Sequence, residues 1–315
     1  IGQGFCDSKN MSIQKVNRVL IVANPVAGRG KAVVILPHLL KAFAEFGITP
    51  ETYFTTANPH DDLLDQAILN SDAVIAMGGD GTLNRVSRPI ILNAKPNTIL
   101  PMVGLIPMGT GNVASGALCF PRSFSETAHA VVSEKKRLID VGVVFQNDAA
   151  IAVFLLWLGA GLDGAVIHAV AAIRSRYLGS WLIPRYVIET LRTFATYSFP
   201  NINIVSGQIH GDFPSAVVAN IGSFGVGGVT RKADPTDGKF NLIATSHRNR
   251  FSWCLSGLMA GLNCYDFCWD VNRSFETDIK ISAGESVPVQ IDGEPFCSPP
   301  FSIQIRKAAL PILSV

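Results

Sequence analysis

The residues best suited to chemistry lie in a glycine-rich turn, Gly78–Thr82 (GGDGT), which follows an apolar run and precedes Leu83 and Asn84. Glycines let the backbone approach a phosphate closely, and the free N–H groups at a helix start attract negative charge. Because a carboxylate repels bare phosphate, Asp80 is expected to hold Mg²⁺ or to orient an attacking hydroxyl in phosphoryl transfer. The alternative is a tight strand-to-helix turn in which Asp80 caps the helix.

Two further loops with many backbone donors follow other apolar runs. They are Asn24–Lys31 (NPVAGRGK) and Pro107–Asn112 (PMGTGN). Three such loops after three strands favour a nucleotide-phosphate site, because the carboxyl ends of parallel strands meet at one edge of a sheet. Gly30-Lys31 lacks the upstream glycine of a P-loop, and the sequence has no HRD or DFG set, no GxSxG elbow and no HExxH pair.

A fourth glycine pattern, Gly159–Gly164 (GAGLDG), matches GxGxxG and follows an apolar run. A dinucleotide site of the Rossmann type would need a strand ending in an acidic residue about 20 residues later. That position instead reads Arg176–Trp181 (RYLGSW), which argues against a nicotinamide enzyme.

The elements that position these loops differ between the two halves of the chain. Before residue 140, strands at 19–23, 73–77 and 102–106 alternate with helical patterns at 61–69 and 124–136, which is typical of βαβ units. Ser123 and Glu126 fit a capping box, and Pro37 is expected to kink or split the helix that begins near Lys31. After residue 141, short alternating runs predict a mostly antiparallel β domain with helices at 164–174 and 179–197; the runs are 201–205, 215–221, 239–245, 287–291 and 301–305.

The composition excludes some classes of protein. The 315 residues are 48% hydrophobic and 16% charged, which indicates a folded protein of two domains. A net charge of +2 gives no electrostatic reason to expect nucleic acid as a partner. Six scattered cysteines and the lack of a secretory signal favour reduced thiols and a cytoplasmic location, with residues 1–10 as an extension before Met11.

One apolar window, Phe251–Trp269, is interrupted by Asn263 and Asp266. At about 19 residues it could barely span a bilayer, so a buried or interfacial helix is the favoured interpretation. The apolar helices around Trp181 and Trp253 are flanked by arginines, and they are expected either to dock on an anionic membrane surface or to pack in the core.

In these motifs the sequence resembles the superfamily of diacylglycerol kinases and sphingosine kinases, from about Arg18 onward. The NPxxG, GGDGT and PxGTxN signatures of that superfamily appear here in the same order. Its later motifs correspond to Asn220, Gly225–Gly228, Asp237-Gly238 and 292–294 (DGE) of this sequence. The resemblance implies an α/β class fold: an N-terminal domain like that of phosphofructokinase and NAD kinase, and a C-terminal β-sandwich. We expect the nucleotide-binding domain at 11–141 and the lipid-substrate domain at 142–305, with 306–315 returning to the first.

The resemblance also implies site residues. Asp292 and Glu294 would supply the general base, whereas the residues alone would suggest a type I′ hairpin turn at Asp292-Gly293. The expected ATP contacts are Asn24, Pro25, Val26, Ala27, Gly28, Thr56, Gly78, Gly79, Asp80, Gly81, Thr82, Leu83, Asn84, Arg85, Gly109, Thr110 and Asn112.

Two further sites follow from the same resemblance. Asp234, Asp237 and the backbone carbonyl of Lys239 sit where bacterial relatives bind a structural Mg²⁺, although alone they would look like an Asx turn. Asp163 sits where sphingosine kinases recognise the lipid head group, and its alternative role is a helix N-cap before Gly164.

Two positions depart from the family pattern. Arg85 replaces a glutamate and reverses a charge beside the expected nucleotide, and Val113 replaces a common aspartate, a variant known in the superfamily. The charge reversal at Arg85 is expected to affect the details of ribose and Mg²⁺ contact.

Together these features predict an ATP- and Mg²⁺-dependent kinase that phosphorylates a lipid hydroxyl, of diacylglycerol or a related lipid, in the cleft between two domains. Expected partners are ATP and lipid, with peripheral association at the inner membrane surface and a homodimer as further expectations. The alternatives are a sphingoid-base kinase, an NAD kinase-like enzyme and a non-catalytic lipid- or nucleotide-binding regulator.

Overall fold

The fold is known from a computed structural model, which describes residues 16–56, 58, 61–93, 98–109, 111–174, 182–207, 209–224, 227–228, 233–261, 271–276 and 278–315. Several sequence predictions concern positions outside these ranges. They are the extension at 1–10, Thr110, Trp181, Gly225 and Val226, the last part of the apolar window at 262–269, and Cys6, Cys264 and Cys268.

The first half of the chain alternates strands and helices, as the βαβ pattern predicts. Its elements are β1 (Val19–Ala23), a 3-10 turn (Ala27–Gly30), α1 (Lys31–Ala44), β2 (Glu51–Phe54), α2 (Asp62–Leu69), β3 (Ala73–Gly78), α3 (Asp80–Asn93), β4 (Met102–Pro107), α4 (Val113–Ala117) and α5 (Phe124–Val132).

Local side-chain chemistry sets several helix boundaries. The Asp61 carboxylate caps α2 by accepting a hydrogen bond from Leu64 N at 3.1 Å. The predicted capping box of Ser123 and Glu126 is present at the start of α5. Helix α1 runs from Lys31 to Ala44 with Pro37 inside it, so the expectation that Pro37 splits the helix is wrong.

The first half forms a parallel sheet in the order β2-β1-β3-β4. Both faces of the sheet are covered: Leu20 and Val22 point into one apolar core, whereas Ile21 and Ala23 point into another. This two-sided burial explains why the strands read as continuous apolar runs.

Within the part of the chain that the structure describes, the second half is mainly antiparallel sheet with three helices. Its elements are β5 (Lys136–Gln146), β6 (Ala149–Phe154), β7 (Trp157–Ala160), α6 (Leu162–Arg174), α7 (Leu182–Thr196), β8 (Ile202–Ser206), β9 (Ile209–Phe213), β10 (Ser215–Ala219), β11 (Ser223–Phe224), β12 (Gly227–Gly228), β13 (Phe240–Thr245), α8 (Arg250–Gly261), β14 (Val271–Phe275), β15 (Ile279–Ala283), β16 (Val289–Ile291), β17 (Glu294–Phe296) and β18 (Phe301–Leu313).

Two sheets face each other in this half and form a sandwich. One has the order β14-β13-β10-β7-β16-β17, and the other contains β9, β8, β15, β18, β5 and β6. A core that includes Phe154, Phe213, Phe240 and Phe301 fills the space between them. The predicted fold class, an α/β domain followed by a β-sandwich, is confirmed.

Strand β18 connects the two halves. Its first residues pair with β15 of the sandwich, for example Ile303 with Ile279, and near its end Ile312 pairs in parallel with Val103 of β4. Strand β5 runs beside it across a bulge between Arg306 and Leu310. The parallel sheet and one sandwich sheet are therefore a single ten-stranded sheet.

Two expectations from the composition concern a membrane-spanning helix and the cysteines. Within the described ranges, no helix is long and apolar enough to cross a membrane. Cys119, Cys254 and Cys297 are exposed free thiols.

Gly142 on β5 provides a test of the sandwich packing. It pairs with Phe154, and a Cβ at Gly142 would lie 2.1 Å from Phe154 Cε1. We expect Gly142→Ala to lower the free energy of unfolding by about 1–3 kcal/mol, because the buried ring cannot move away without strain. Urea denaturation measures this change.

Gly116→Ala is the matched control, because Gly116 lies in α4 and a Cβ there meets nothing within 4 Å. Alanine in a helix is favoured over glycine by about 0.5–1 kcal/mol, so this variant should be as stable as the wild type or more so. Wild-type stability in Gly142→Ala would contradict the packing described here.

Candidate active site

The three glycine-rich loops meet at the carboxyl edge of the parallel sheet. Asn24 N, after β1, donates to Met77 O at 3.0 Å, and Met108 N, after β4, donates to Gly78 O at 2.7 Å. Both acceptors lie at the end of β3, so the loop 78–82 is central. The predicted convergence of the loops is what the structure shows.

Glycine is required where these loops touch. A Cβ on Gly109 would lie 2.7 Å from Gly79 Cα, and a Cβ on Gly78 would lie 2.1 Å from Thr82 Oγ1. Gly28 has φ +58°, and a Cβ there would lie 3.2 Å from Met108 O. The three loops therefore form one surface made largely of main chain.

The Asp80 carboxylate joins the central loop to the loop after β4. It accepts hydrogen bonds from Val113 N at 3.1 Å and Ala114 N at 3.0 Å, which are the first N–H groups of α4. The residue thus caps a helix, as the alternative interpretation held, but the helix is α4 and not the one Asp80 begins. Each oxygen keeps a second lone pair.

Two asparagines hold the outer loops in shape. Asn112 has φ 49°, accepts from Gly109 N at 2.8 Å and donates to Gly109 O at 2.7 Å. Asn24 Oδ1 accepts from Val26 N at 3.1 Å. Their amides stabilise the loops, which leaves main-chain atoms as the groups that face a ligand.

Four other predicted nucleotide contacts are buried or contact neighbouring residues. Thr82 and Leu83 are buried, and Leu83 lies in the apolar core. Arg85 faces α2, where its guanidinium lies 3.9 Å from Asp65 Oδ1. Thr56 lies in the segment after β2, and its hydroxyl accepts from Asn58 N at 3.3 Å.

The predicted catalytic carboxylates lie on the hairpin of β16 and β17. Asp292 and Gly293 form its two-residue loop with φ of 49° and 85°, and Ile291 pairs with Glu294. Positive φ at both positions is typical of the type I′ turn, which matches the right-handed twist of the strands. A tight turn and a carboxylate site therefore occur at the same residues.

The Asp292 carboxylate is buried and accepts four hydrogen bonds. The donors are Leu155 N and Asn84 Nδ2, both at 2.9 Å from Oδ2, and Leu156 N at 2.9 Å and Trp157 N at 3.1 Å from Oδ1. Burial raises the pKa of Asp292 to about 6, against the opposing effect of these donors. Asn84 also donates to Val153 O, so its amide connects α3 to the sandwich.

Glu294 is exposed at the mouth of a cleft between the halves. A Cβ placed on Gly81 would lie 3.7 Å from Glu294 Oε1, so this carboxylate stands beside the N-terminal turn of α3. The cleft has a volume of about 330 Å³, and its lining consists of Gly81, Asn84, Arg88, Ile151, Ala152, Val153, Ile291, Asp292, Glu294, Pro295 and Phe296.

Sequence reasoning missed Arg88 and Phe296 as lining residues. Gly81, Asn84 and Arg88 are spaced i, i+3, i+7, which places them on one helical face, and this spacing could have identified Arg88. Phe296 lies two residues after Glu294 in β17 and therefore on the same face of the strand, and this spacing could have identified Phe296.

Asp163 does not line this cleft. It lies in the first turn of α6, where Oδ2 accepts from Gln290 Nε2 at 2.6 Å, and burial raises its pKa. The head-group role and the capping role of Asp163 both stay predictions.

The loop with Asp234, Asp237 and Lys239 is a separate acidic site. Asp237 Oδ1 accepts from Lys239 N at 2.9 Å, and burial and the nearby charges of Asp234 and Asp140 raise the pKa of Asp237. These carboxylates, with main-chain carbonyls, are hard oxygen donors that fit Mg²⁺. No three acidic, His or Cys side chains in the described ranges are grouped to hold a metal, so carbonyls and water would have to supply other ligands.

The chain is similar to known proteins in both halves. A model described as the diacylglycerol kinase catalytic domain matches residues 18–144, and one described as the YegS C-terminal NAD kinase beta sandwich-like domain matches residues 157–314. The diacylglycerol kinase of Bacillus subtilis (strain 168) is 33% identical over 132 residues, 41% of this chain and 42% of that protein. That of Staphylococcus saprophyticus is 32% identical over 127 residues, 40% of each chain.

The match therefore spans about two fifths of these curated relatives. A crystal structure of a diacylglycerol kinase from Bacillus anthracis str. Sterne superposes with a TM-score of 0.72 and 21% identity, covering 96% of this chain and 98% of that one. At this identity the likeness shows the shared fold.

The raised pKa of Asp292 predicts a pH dependence of stability. Because the folded-state pKa is about 6, against an ordinary value of 3.8 for an aspartate, the folded protein holds a proton that the unfolded chain releases between pH 4 and 6. The stability of the wild type relative to Asp292→Asn should therefore fall as pH rises through this interval, by up to about 3 kcal/mol.

Urea unfolding of both proteins at pH 4, 5, 6 and 7 gives this difference, in which the other titrating groups largely cancel. A difference that stays constant or increases with pH would show that the carboxylate is not desolvated as described.

Proposed function

Because the chain belongs to the diacylglycerol kinase-like superfamily, we propose that it is an ATP-dependent kinase that phosphorylates a hydroxyl group of a lipid. The observation that carries the proposal is the cleft itself, in which Glu294 of the sandwich stands beside Gly81 at the start of α3. One wall of the cleft is thus suited to phosphate and the other to an apolar acceptor.

The donor side consists of the three glycine-rich loops. Their main-chain N–H groups and the N-terminus of the 14-residue helix α3 favour the β- and γ-phosphates of ATP. Asp80 orders two of the loops, and its remaining lone pairs, with phosphate oxygens, suit Mg²⁺. Such an ion would neutralise charge on the transferring phosphoryl group.

The acceptor side is mostly apolar. Ile151, Val153, Ile291 and Phe296 line the cleft and are suited to the upper part of a lipid, whereas Arg88 supplies a positive charge for the phosphate being transferred. Diacylglycerol is the acceptor we favour, since the named relatives are diacylglycerol kinases.

Glu294 is the better candidate for the general base. Asp292 is buried and accepts four hydrogen bonds, so it cannot reach a substrate without losing them. Glu294 is exposed at the cleft mouth. In the proposed step its carboxylate takes the proton of the lipid hydroxyl while that oxygen attacks the γ-phosphorus and ADP leaves.

The loop around Asp237 is proposed as a structural Mg²⁺ site. It lies against β5 and β18, where Asp140 accepts from Gly238 N at 2.6 Å and Ala308 N at 2.7 Å. A cation bound to Asp237 and the carbonyl of Lys239 would neutralise charge at the junction of the two halves.

A membrane-facing surface is proposed on α7 and α8, which we call the helical patch: Val187, Ile188, Leu191, Phe251 and Leu255. These side chains are exposed, Phe251 to 78% and Leu191 to 63%. Arg250 joins the two helices by donating to Tyr197 O at 3.1 Å. Exposed apolar residues among Arg185, Arg192 and Arg248 suit an anionic lipid surface, from which the acceptor would be drawn.

The function is tested with γ-labelled ATP and a panel of acceptors. Diacylglycerol, monoacylglycerol, sphingosine, ceramide and NAD are offered separately in mixed micelles with Mg²⁺. Label in a glycerolipid supports the proposal, label in sphingosine or NAD selects one of the alternatives, and no label in any acceptor overturns kinase activity on these lipids.

The assignment of the base predicts the effect of Glu294→Gln. We expect kcat to fall about 10²–10⁴-fold, since the amide cannot accept the hydroxyl proton, with little change in melting temperature because the side chain is exposed. Glu45→Gln, an exposed residue at the end of α1, is the control and should keep wild-type turnover. Full activity of Glu294→Gln would refute its role.

The helical patch predicts a loss of vesicle binding. Leu191→Asp and Phe251→Asp should each weaken co-sedimentation with vesicles of phosphatidylglycerol and phosphatidylcholine about tenfold or more, since each removes a large apolar side chain and adds repulsion. Leu63→Asp, equally exposed but on α2, is the control. Unchanged binding of both patch variants would place the membrane contact elsewhere.

A further inference from the structure

Gln290 is a fully buried polar side chain whose amide is bonded at both ends. Its Oε1 accepts from Gly293 N at 2.8 Å, and its Nε2 donates to Asp163 Oδ2 at 2.6 Å. The partners fix the orientation of the amide, because an N–H group needs the oxygen and a carboxylate needs the NH₂ group. The side chain therefore spans from α6 to the residue immediately before Glu294.

The strand register explains why an amide is buried here. Val289 and Ile291 point into the apolar core of the sandwich, so Gln290 points to the opposite face of β16, toward α6. Gly159 pairs with Gln290 on the adjacent strand, and because it has no side chain it leaves space for the Gln290 amide. A Cβ on Gly159 would lie 1.8 Å from Asp163 Oδ2 and 2.9 Å from Gln290 Nε2.

Two other contacts hold α6 on the same strand. His168 Nε2 lies 2.8 Å from Val289 O, and a Cβ on Gly164 would lie 2.2 Å from Pro288 O. The helix thus packs along the segment that leads into the hairpin. A displacement of α6 would act on that hairpin through Gln290, whose side chain accepts from Gly293 N of the turn.

We infer that Gln290 is a positioning residue, which couples Asp163 on α6 to the Asp292–Glu294 hairpin and thereby fixes the position of Glu294 in the cleft. The inference rests on the proposed function, since it takes Glu294 as the base. The alternative role of a buried amide with satisfied partners is stability alone. The two roles differ in their effects on turnover.

The first test is kinetic. Gln290→Met keeps the size of the side chain but removes both hydrogen bonds, and we expect kcat to fall about 10–100-fold with the KM for ATP changed less than about twofold, because a small displacement of a reacting group is costly. Ser298→Ala is the matched control. It removes bonds to Val287 O at 2.8 Å and to Ser286 Oγ at 3.1 Å at the base of the same hairpin but touches neither Gly293 nor Asp163.

A double-mutant cycle tests the coupling. If Gln290 acts with Asp163, combining Gln290→Met with Asp163→Ala should lower kcat no more than the worse single variant, within about twofold. Effects that multiply would overturn the link. Gln290→Glu, which keeps an acceptor for Gly293 N but loses the donor to Asp163, replaces Gln290→Met if that variant melts below the assay temperature.

Hydrogen exchange at Gly293 N–H gives a readout without turnover. We expect exchange to quicken in Gln290→Met, and also in Asp163→Ala, where Gln290 loses its anchor. Unchanged exchange in Asp163→Ala would overturn the inference even if the wild type phosphorylates lipid. Conversely, a wild type that labels no acceptor would refute the proposed function while the exchange data still report the link.

Discussion

A single buried negative charge organises the candidate site. The Asp292 carboxylate takes four donors from two parts of the chain, the amide of Asn84 on α3 and three consecutive main-chain N–H groups at 155–157. A buried carboxylate without hydrogen bonds would be costly in free energy, and the donors would be unsatisfied without the carboxylate. The carboxylate and its donors therefore stabilise each other. The consequence is positional: α3, which begins at the phosphate loops, is held against the hairpin that carries Glu294.

Main-chain atoms form most of the surface of the three glycine-rich loops. The contacts of Gly79 with Gly109 and of Gly28 with Met108 leave little room for side chains. Asp80, Asn24 and Asn112 use their polar atoms to hold neighbouring backbone in place. A surface of N–H groups with few mobile side chains needs little rearrangement to receive a phosphate.

The sequence predicts the fold more fully than the site. Continuous apolar strands, the capping box at Ser123 and glycine-rich loops are local signals, so the α/β domain and the meeting of its loops follow from them. Asn84 and Arg85 show the limit, because these adjacent residues of α3 face different elements, the cleft and the sandwich for Asn84 and α2 for Arg85, and this difference depends on tertiary packing. Gln290 lies within the predicted strand run 287–291, and no local signal indicates its bond to Asp163, which is 127 positions away.

The path of β18 sets an order of assembly. Ile312 of β18 pairs with Val103 of β4, and β5 pairs with β18, so the sheet that carries the glycine-rich loops lacks the strand next to β4 until the sandwich has been synthesised. Domains are commonly finished in the order in which they leave the ribosome. In this protein the half that is translated first can be completed only after the sandwich has been translated.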